Sequence, residues 1–355
     1  MGRIDRTIRA WIAAGHRINS ADIEQLQAND QPLDAEQMTP HLIAAFDDAT
    51  AAGAWSPLAT LASDPRITEA IARLRAWDFS SPTGIPQGYD PGDDPLALPA
   101  PSQTEIDDSV AATLFAMWRS YAVKNTIDAT LSGMGLGDAL PGDTDAYVGL
   151  KFLLDNFDAL QGHGVSGVAF FNPSGTSDTA PDAASARDYV LLSSLRDALT
   201  QLASAELAPA FAQSTDLSDY RWGKLHRVVL EHPLGPPFSL PGPNGYGFTD
   251  VAPDLPGFAR AGGYQTVDPG SNPIRAFGLD DFMFSGTSAP GRRFVGEMSS
   301  TIDAVEVIPG GNSAVLGSPH YADQLGWWLT DHYHPLLIPA SAAIAAGTTT
   351  MSFVP

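Results

Sequence analysis

RWGKLHRVVLEHPLG (residues 221–235), GGYQTVDPGSNP (residues 262–273) and VIPGGNSAVLGSPHYADQLGWWLTDHYHPL (residues 307–336) follow one another in the second half of the chain. Each combines turn-forming Gly and Pro with aromatic or β-branched residues. Short β-prone runs stand among the turns, at residues 263–267, 293–298 and 304–308. The last two, within RRFVGEM and DAVEVIP, are close enough to pair as neighbouring antiparallel strands. The pattern predicts a sheet with long loops.

The sequence before these segments has the periodicity of helices. Asn19 or Ser20 can cap a helix, and Asp64 precedes Pro65, which suits the first position of another. Pro40 predicts a kink or a later start in a further helix. Apolar residues recur at helical spacing in four longer segments, residues 35–50, 105–131, 147–160 and 184–205. The first half is therefore predicted to be mostly helical.

A stretch rich in Pro, Gly and Asp divides the chain. We predict a helical segment at residues 1–80, this loop at 81–104, a helical region at 105–235, and a β-rich core portion with the C-terminal segment at 236–355. The loop contains Asp90, Asp93 and Asp94, and carboxylates are the oxygen ligands that Ca²⁺ prefers. Their spacing fits no EF-hand, and a solvated acidic loop is the favoured interpretation.

Composition excludes several classes of function. The 355 residues contain 41 Asp and Glu against 19 Lys and Arg, a formal net charge of −22, so nucleic acid is not expected as a partner. The sequence shows no run of about 18 apolar residues, so no membrane partner is expected. The first residues do not form a signal peptide. The absence of Cys excludes disulfides and thiolate chemistry.

Some residues suggest chemistry without specifying it. Asp331, His332 and His334 could bind a metal, but a pair spaced by two residues is a weak zinc signal, and packing at the edge of the core is favoured. Ser318, His320 and Asp323 contain the residue types of a hydrolase triad, yet they are too close in sequence for the usual geometry, and no G-x-S-x-G motif is present. Paired carboxylates for sugar hydrolysis stay open.

In their order and wording, the three quoted segments resemble the C-terminal part of the β chain of the penicillin amidase family, which includes penicillin, cephalosporin and acyl-homoserine-lactone acylases. The resemblance extends upstream to RIDRTIRAWI near the start and to LRAWD at residues 74–78, and so spans nearly the whole chain. We expect structural roles for the residues that carry it, which are Trp222, Gly223, His226, His232, Pro233, Gly310, Ser318, Pro319, His320, Tyr321, Asp323 and Gln324.

The resemblance implies an α+β fold, part of the αββα sandwich of antiparallel sheets found in N-terminal nucleophile hydrolases, with a mostly helical first half. Family members are cut autocatalytically from a longer zymogen into an α chain and a β chain that begins with Ser. That Ser is the nucleophile, and its own α-amine acts as the base. The implied reaction is hydrolysis of a linear amide in a penicillin-like or N-acyl substrate, as in antibiotic metabolism.

Two residues are candidates for the catalytic machinery by this resemblance. Arg3 matches a family arginine beside the active site, and Glu297 falls where some relatives carry a carboxylate that orients the nucleophile's amine. The alternatives are a surface arginine in an ion pair and a solvent-facing strand carboxylate. Two other pairs, Gly175-Thr176 and Gly286-Thr287, lack the Ser-Asn-x-Trp context of self-cleavage.

The nucleophile itself is expected upstream, because Met1-Gly2 offers none. The oxyanion-hole asparagine and most of the acyl pocket are expected there too. This chain would be a fragment, inactive alone, whose partners are the missing N-terminal α chain, the start of the β chain and a small-molecule amide. No cofactor is expected in this chain, although calcium is possible in the complete enzyme with ligands upstream. The family suggests a periplasmic or extracellular location. The alternative is a non-catalytic acidic α+β scaffold that binds a cation or a partner.

Overall fold

The computed structural model describes residues 2–172, 179–241, 255–268, 270, 272–285, 290–298, 303–337 and 339–347. Helices dominate the first half and short strands appear only after residue 226 in these ranges. The α+β prediction is therefore confirmed. None of the described helices has both the length and the apolar character needed to cross a membrane.

The helices follow the predicted periodicity closely. Asn19 caps α2 and Asp64 caps α5, each accepting a hydrogen bond from a backbone nitrogen of the first turn. The α-helices are α1 (Gly2–Ala13), α2 (Ser20–Gln27), α3 (Leu33–Thr50), α4 (Ser56–Ala62), α5 (Pro65–Ala76), α6 (Gln103–Val123), α7 (Ala129–Gly133), α8 (Asp143–Asp155), α9 (Phe157–Leu160), α10 (Ala183–Leu202), α11 (Ala208–Phe211), α12 (Leu279–Phe282), α13 (Leu325–Leu329) and α14 (Ala340–Ala346).

The long helix predicted at residues 105–131 is interrupted near its end. A π-helical segment, Lys124–Asp128, joins α6 to α7. Of the two effects predicted for Pro40, a kink or a later start, the later start is wrong, because α3 begins at Leu33 and continues through Pro40. One proline removes a single hydrogen bond, and the buried face of α3 compensates through packing.

The helical core is centred on α6 and α10. Trp118 and Phe115 on α6 are buried, and the Trp118 Nε1 donates to the backbone oxygen of Leu191 on α10 at 3.1 Å. Helices α3, α4 and α5 pack around this pair and contribute Met38, Leu42, Leu58, Ile67 and Ile71 to the same apolar cluster. Burial of these apolar side chains is the main stabilising contribution to this half.

The strands form two small sheets among the described residues. They are β1 (Arg227–Val229), β2 (Phe258–Ala259), β3 (Met283–Ser285), β4 (Arg293–Glu297), β5 (Asp303–Val307) and β6 (His334–Pro335). One sheet has the order β2-β1-β3, with β1 antiparallel to β2 and parallel to β3. The other has the order β4-β5-β6 and is antiparallel throughout.

The predicted pairing of residues 293–298 with 304–308 is confirmed, with Arg293 opposite Val307 and Glu297 opposite Asp303. The strand predicted at residues 263–267 is wrong. Those residues form a turn in which Gln265 has a φ of 61°. Their backbone groups form hydrogen bonds with other segments. The backbone nitrogen of Val267, for example, donates to the backbone oxygen of Asn29.

Candidate functional site

Arg3 is the only buried residue of α1. Its Nε and Nη1 donate to the backbone and side-chain oxygens of Gln31, both at 3.1 Å, and its Nη2 pairs with the carboxylate of Glu36 on α3. Arg6 donates to the same carboxylate at 2.8 Å. Arg3 therefore holds α1 against the start of α3, and Glu36 compensates the charge of Arg3.

Glu297 lies at the end of β4 with its side chain exposed. Its Oε1 accepts from both the backbone nitrogen and the hydroxyl of Ser20, at 3.0 and 2.7 Å. These hydrogen bonds lower the pKa of Glu297 below its ordinary value. Ser20 is the first residue of α2, so the carboxylate also lies at the positive end of that helix.

Arg3 lies on α1 and Glu297 on β4. No hydrogen bond or ion pair between them occurs in the described residues. Helix α2 lies against β4, and the Nε2 of Gln27 donates to the oxygen of Phe294 at 3.2 Å. The two candidates are thus connected through α2 and the turn that follows it.

Trp222 and Gly223 form a buried junction with the 81–104 loop. The Trp222 nitrogen donates to the Ser109 hydroxyl at 2.7 Å, and the Gly223 nitrogen donates to the Thr83 oxygen at 2.8 Å. A Cβ on Gly223 would lie 2.9 Å from that same oxygen. The indole Nε1 donates to the Gly262 oxygen at 2.8 Å. Gly223 therefore permits a close contact with the Thr83 backbone that a larger residue would block.

His226 is fully buried and stacks on Trp222, with ring centroids 4.9 Å apart and an interplanar angle of 8°. Its ring nitrogens lie 2.7 Å from two backbone oxygens, those of Arg260 and Gly270. Burial lowers the pKa of His226 to about 4. The imidazole connects two loop segments in the interior.

Four charged side chains form what we call the buried ionic cluster, Arg260, Asp268, Arg293 and Asp331, each side chain at most 3% exposed. Asp268 pairs with both arginines, and its Oδ1 lies 2.7 Å from the Nη2 of Arg293. Asp331 lies 2.7 Å from the same Nη2 and 3.5 Å from that of Arg260. Both guanidinium groups stack over the Trp328 ring, at 4.7 and 5.2 Å from its centroid.

The carboxylates of this cluster differ in their electrostatics. Burial would raise the pKa of Asp268, but the two arginines outweigh it and hold that pKa below its ordinary value. Burial and the charge of Asp268 raise the pKa of Asp331 to about 7. Nearby, burial raises the pKa of Asp30 to about 7, and the charges of Asp90 and Asp268 contribute.

The cluster lies where the two halves of the chain meet. The backbone nitrogen of Asp268 donates to the Asn29 oxygen at 3.0 Å, and that of Gly262 to the Ser81 oxygen at 3.2 Å. Asp331 itself has a φ of 59°, an uncommon conformation that Asp tolerates better than most residues. Because its charges are enclosed and paired, the cluster is suited to holding segments in place.

The remaining residues of the first motif lie nearer the surface. The Nδ1 of His232 accepts from the Leu234 nitrogen at 3.0 Å, and the His232 nitrogen donates to the Ser239 hydroxyl at 3.1 Å. Pro233, between them, is exposed. These contacts stabilise a local turn.

In the third quoted segment, residues 307–336, Gly310 and Gln324 close a long loop. The Gln324 nitrogen donates to the Gly310 oxygen at 2.8 Å, and its Oε1 accepts from the Ile308 nitrogen at 3.3 Å. Gly310 has a φ of 103°, which favours glycine. The hydroxyl of Tyr321 donates to the Phe238 oxygen and so attaches this loop to the residues that follow the first motif.

Ser318, Pro319, His320 and Asp323 occupy an exposed turn of that loop. The Ser318 hydroxyl accepts from the backbone nitrogen of His320 at 3.2 Å, whereas the His320 Nδ1 pairs with the Asp323 carboxylate at 2.7 Å. The serine is thus used in a local turn, which agrees with the sequence argument against a catalytic triad.

Asp331, His332 and His334, which were considered for metal binding, contact different partners. Asp331 belongs to the ionic cluster, the Nδ1 of His332 lies 2.9 Å from the Thr330 hydroxyl, and His334 stacks on Trp327 at 4.1 Å. Within the described ranges, no group of three or more His, Asp and Glu side chains is arranged to hold a metal.

The prediction of a solvated acidic loop is wrong for Asp90. Its carboxylate accepts from the backbone nitrogen and the hydroxyl of Thr83, at 2.8 and 2.6 Å, and burial raises its pKa to about 6. The pairs Gly175-Thr176 and Gly286-Thr287 lie outside the described residues.

Sequence reasoning did not identify Arg260, Asp268, Arg293 or Asp30 as a group. The one available signal was Arg293, which alternates with exposed Phe294 on a strand and so falls on the inward face. Arg260 and Asp268 are 8 positions apart, but Asp30 and Arg293 are distant from them in sequence, and nothing in the spacing indicates that the four lie close together.

A model of the penicillin amidase family matches residues 2–345, which covers the helical half, both sheets and every residue discussed above. A search of curated proteins found no match.

Proposed function

We propose, since this chain belongs to the penicillin amidase family, that it forms the C-terminal portion of an enzyme that hydrolyses a linear amide between an acyl group and an amine. The family is one of amide hydrolases. The observation that carries the proposal is the extent of the match, which continues from α1 through both sheets.

The nucleophile in this proposal is an N-terminal serine on a polypeptide that lies outside these 355 residues. A free α-amine titrates near pH 7.7–8.0, so it can take the hydroxyl proton close to neutral pH. The serine attacks the amide carbon, the amine leaves with a proton, and water then hydrolyses the acyl-enzyme. The substrate class is a penicillin-like or N-acyl amide.

This chain supplies support for that chemistry. Arg3 positions α1 through Gln31 and Glu36. The carboxylate of Glu297, whose pKa lies below its ordinary value, is charged at neutral pH, as a partner for an α-ammonium group must be. Oxyanion donors are commonly worth about 2.7–4 kcal/mol each, and we place them on the other polypeptide, so the isolated chain is expected to be inactive. Calcium, with ligands upstream, and an exported location belong to the same proposal.

The test is purification of the protein from its source through a C-terminal tag on this chain. Every copurifying chain is identified by N-terminal sequencing, and the preparation is assayed on a penicillin, a cephalosporin and an N-acyl-homoserine lactone. We expect a polypeptide that begins with Ser and hydrolysis of at least one substrate. A single, inactive polypeptide would favour the non-catalytic acidic scaffold instead.

A further inference from the structure

A cavity of about 450 Å³ lies between α5 and the first two turns of α6. Helix α5 contributes Glu69, Ala72 and Arg73 to its lining, and α6 contributes Asp107 and Asp108. Cavities that hold small ligands usually have volumes of about 300–1,000 Å³. The size of this cavity is therefore that of a small-molecule site.

The charged side chains of this cavity do not balance. Its carboxylates are those of Glu69, Asp107 and Asp108, and Arg73 is the cation among the described residues that line it. The Nε of Arg73 donates to Glu69 at 2.9 Å, and its Nη1 donates to Asp107 at 3.3 Å. Arg73 is thus paired with two carboxylates, and within the described part of the chain no ion pair involves Asp108. The cavity keeps an excess of negative charge.

Asp108 is the buried carboxylate of the cavity and is only 8% exposed. Its Oδ2 accepts from the Ser80 hydroxyl at 3.4 Å, which is long for such a hydrogen bond. Burial raises the pKa of Asp108 to about 6, and the charges of Asp78 and Asp107 contribute, while hydrogen bonds from Ser80 and the Asp78 backbone act against this rise. Buried carboxylates are normally paired with a cation. A cation in the cavity would stabilise the ionised form of Asp108.

Trp77 gives the same cavity an aromatic wall. Its ring packs against those of Phe79 and Phe115, with centroids 5.2 and 5.8 Å away, and its Nε1 donates to the Ser80 oxygen at 2.7 Å. These contacts fix the ring in place. Aromatic rings, and tryptophan above all, attract organic cations and also pack against apolar groups. A fixed indole and a buried carboxylate therefore line one cavity.

We propose that this cavity binds a small organic cation, an ammonium group on an apolar body. The ammonium group pairs with Asp108, and the apolar body lies against Trp77. A single metal ion would fill only a small part of the cavity, and within the described ranges no group of three or more His, Asp and Glu side chains is arranged to hold one. The excess of carboxylates opposes an anion. This inference does not rest on the proposed function.

The test measures binding to the protein purified from its source through a C-terminal tag. Phenethylamine, an ammonium group on an aromatic body, is titrated by isothermal calorimetry at neutral pH, with 2-phenylethanol as the uncharged analogue of similar shape. We expect saturable binding of phenethylamine and an affinity for 2-phenylethanol that is at least about tenfold lower, because the alcohol carries no charge to pair with the carboxylate. Equal affinities, or no binding of phenethylamine, would overturn the inference.

Three variants that each raise the net charge by one locate the binding site. Asp108→Asn removes the carboxylate charge and keeps an acceptor for Ser80, and Ala72→Lys places the chain's own ammonium group at an exposed position of α5 that lines the cavity. Each should weaken phenethylamine binding at least about tenfold, whereas Asp5→Asn, at an exposed position on α1, should bind as the wild type does. Thermal melting checks that each variant is folded. Wild-type affinity in either cavity variant, or an equal loss in Asp5→Asn, would refute the site.

Discussion

The carboxylate of Glu297 accepts two hydrogen bonds from Ser20, one from the backbone nitrogen at 3.0 Å and one from the hydroxyl at 2.7 Å. This contact joins the end of β4 to the start of α2 across 277 residues of sequence. It places a charged carboxylate at a helix N-terminus, where a negative charge is stabilised. The same carboxylate is our candidate partner for the nucleophile's amine.

The two roles of Glu297 can be separated by paired variants in the assembled enzyme. Glu297→Gln keeps a hydrogen-bond acceptor and removes the charge, so kcat should fall and the basic limb of the pH–kcat profile should move. Ser20→Ala removes the hydroxyl contact alone and should leave both unchanged. Equal losses in the two variants would mean that Glu297 acts only by holding α2.

Asp268→Asn should be among the most destabilising single changes in this chain. The aspartate neutralises two arginines whose side chains are at most 3% exposed, and breaking a buried pair costs roughly 3–5 kcal/mol. Urea unfolding measures the loss. The control is Asp5→Asn, which breaks an exposed pair with Arg9 and should cost less than about 1 kcal/mol. Similar losses in both variants would contradict the importance assigned to the buried ionic cluster.

The free energy of unfolding should decrease as the pH rises from about 5 to 8. The pKa values of Asp30 and Asp331 are raised to about 7, so the folded state binds these protons more tightly than the unfolded state. That stabilisation is complete below the unfolded value near 3.9 and is lost as the pH rises through about 7. The lowered pKa of Asp268 acts in the opposite direction, but only below that range. The pKa of His226, lowered to about 4, also acts in the opposite direction up to its unfolded value near 6.5, as a single group against the two aspartates. The decrease in stability should therefore be steepest above about pH 6.5.

Asp30→Asn tests this assignment. Asparagine keeps an oxygen for the Ser81 nitrogen, which lies 2.9 Å from the Asp30 carboxylate, and it cannot ionise. Denaturation at pH 5.5, 7 and 8 should show a flatter pH dependence and a gain in stability at pH 8. An unchanged slope would show that Asp30 does not contribute to it.

Gly223→Ala should destabilise the fold by about 1–3 kcal/mol, because the new Cβ would lie 2.9 Å from the Thr83 backbone oxygen and force the junction apart. Gly149→Ala is the matched control. Its Cβ would make ordinary contact with Ile127 at 3.5 Å inside α8, where alanine is favoured over glycine by about 0.5–1 kcal/mol. Thermal melting should therefore move in opposite directions in the two variants.

Much of the fold could be predicted from local patterns. The helix at Asp64-Pro65 was predicted from its capping residues, and the pairing of β4 with β5 from the closeness of two β-prone runs; both are confirmed. The predictions failed where a distant segment decides the structure. The turn at residues 263–267 has β-prone residues, but its backbone groups bond to residues such as Asn29, over 230 positions away.

The sequence by itself determined the helix periodicity, the β4–β5 hairpin and the family. Each depends on the spacing of residues a few positions apart or on strings of specific motif residues. Tertiary structure alone decided that Arg260, Asp268, Arg293 and Asp331 share one buried site. Tertiary structure alone also decided that Glu297 meets Ser20 and that Arg3 is buried against Gln31 and Glu36. The physical reason is that the environment of a carboxylate and the burial of a helix depend on the segments that pack against them. The spacing of neighbouring residues in the sequence does not identify those segments.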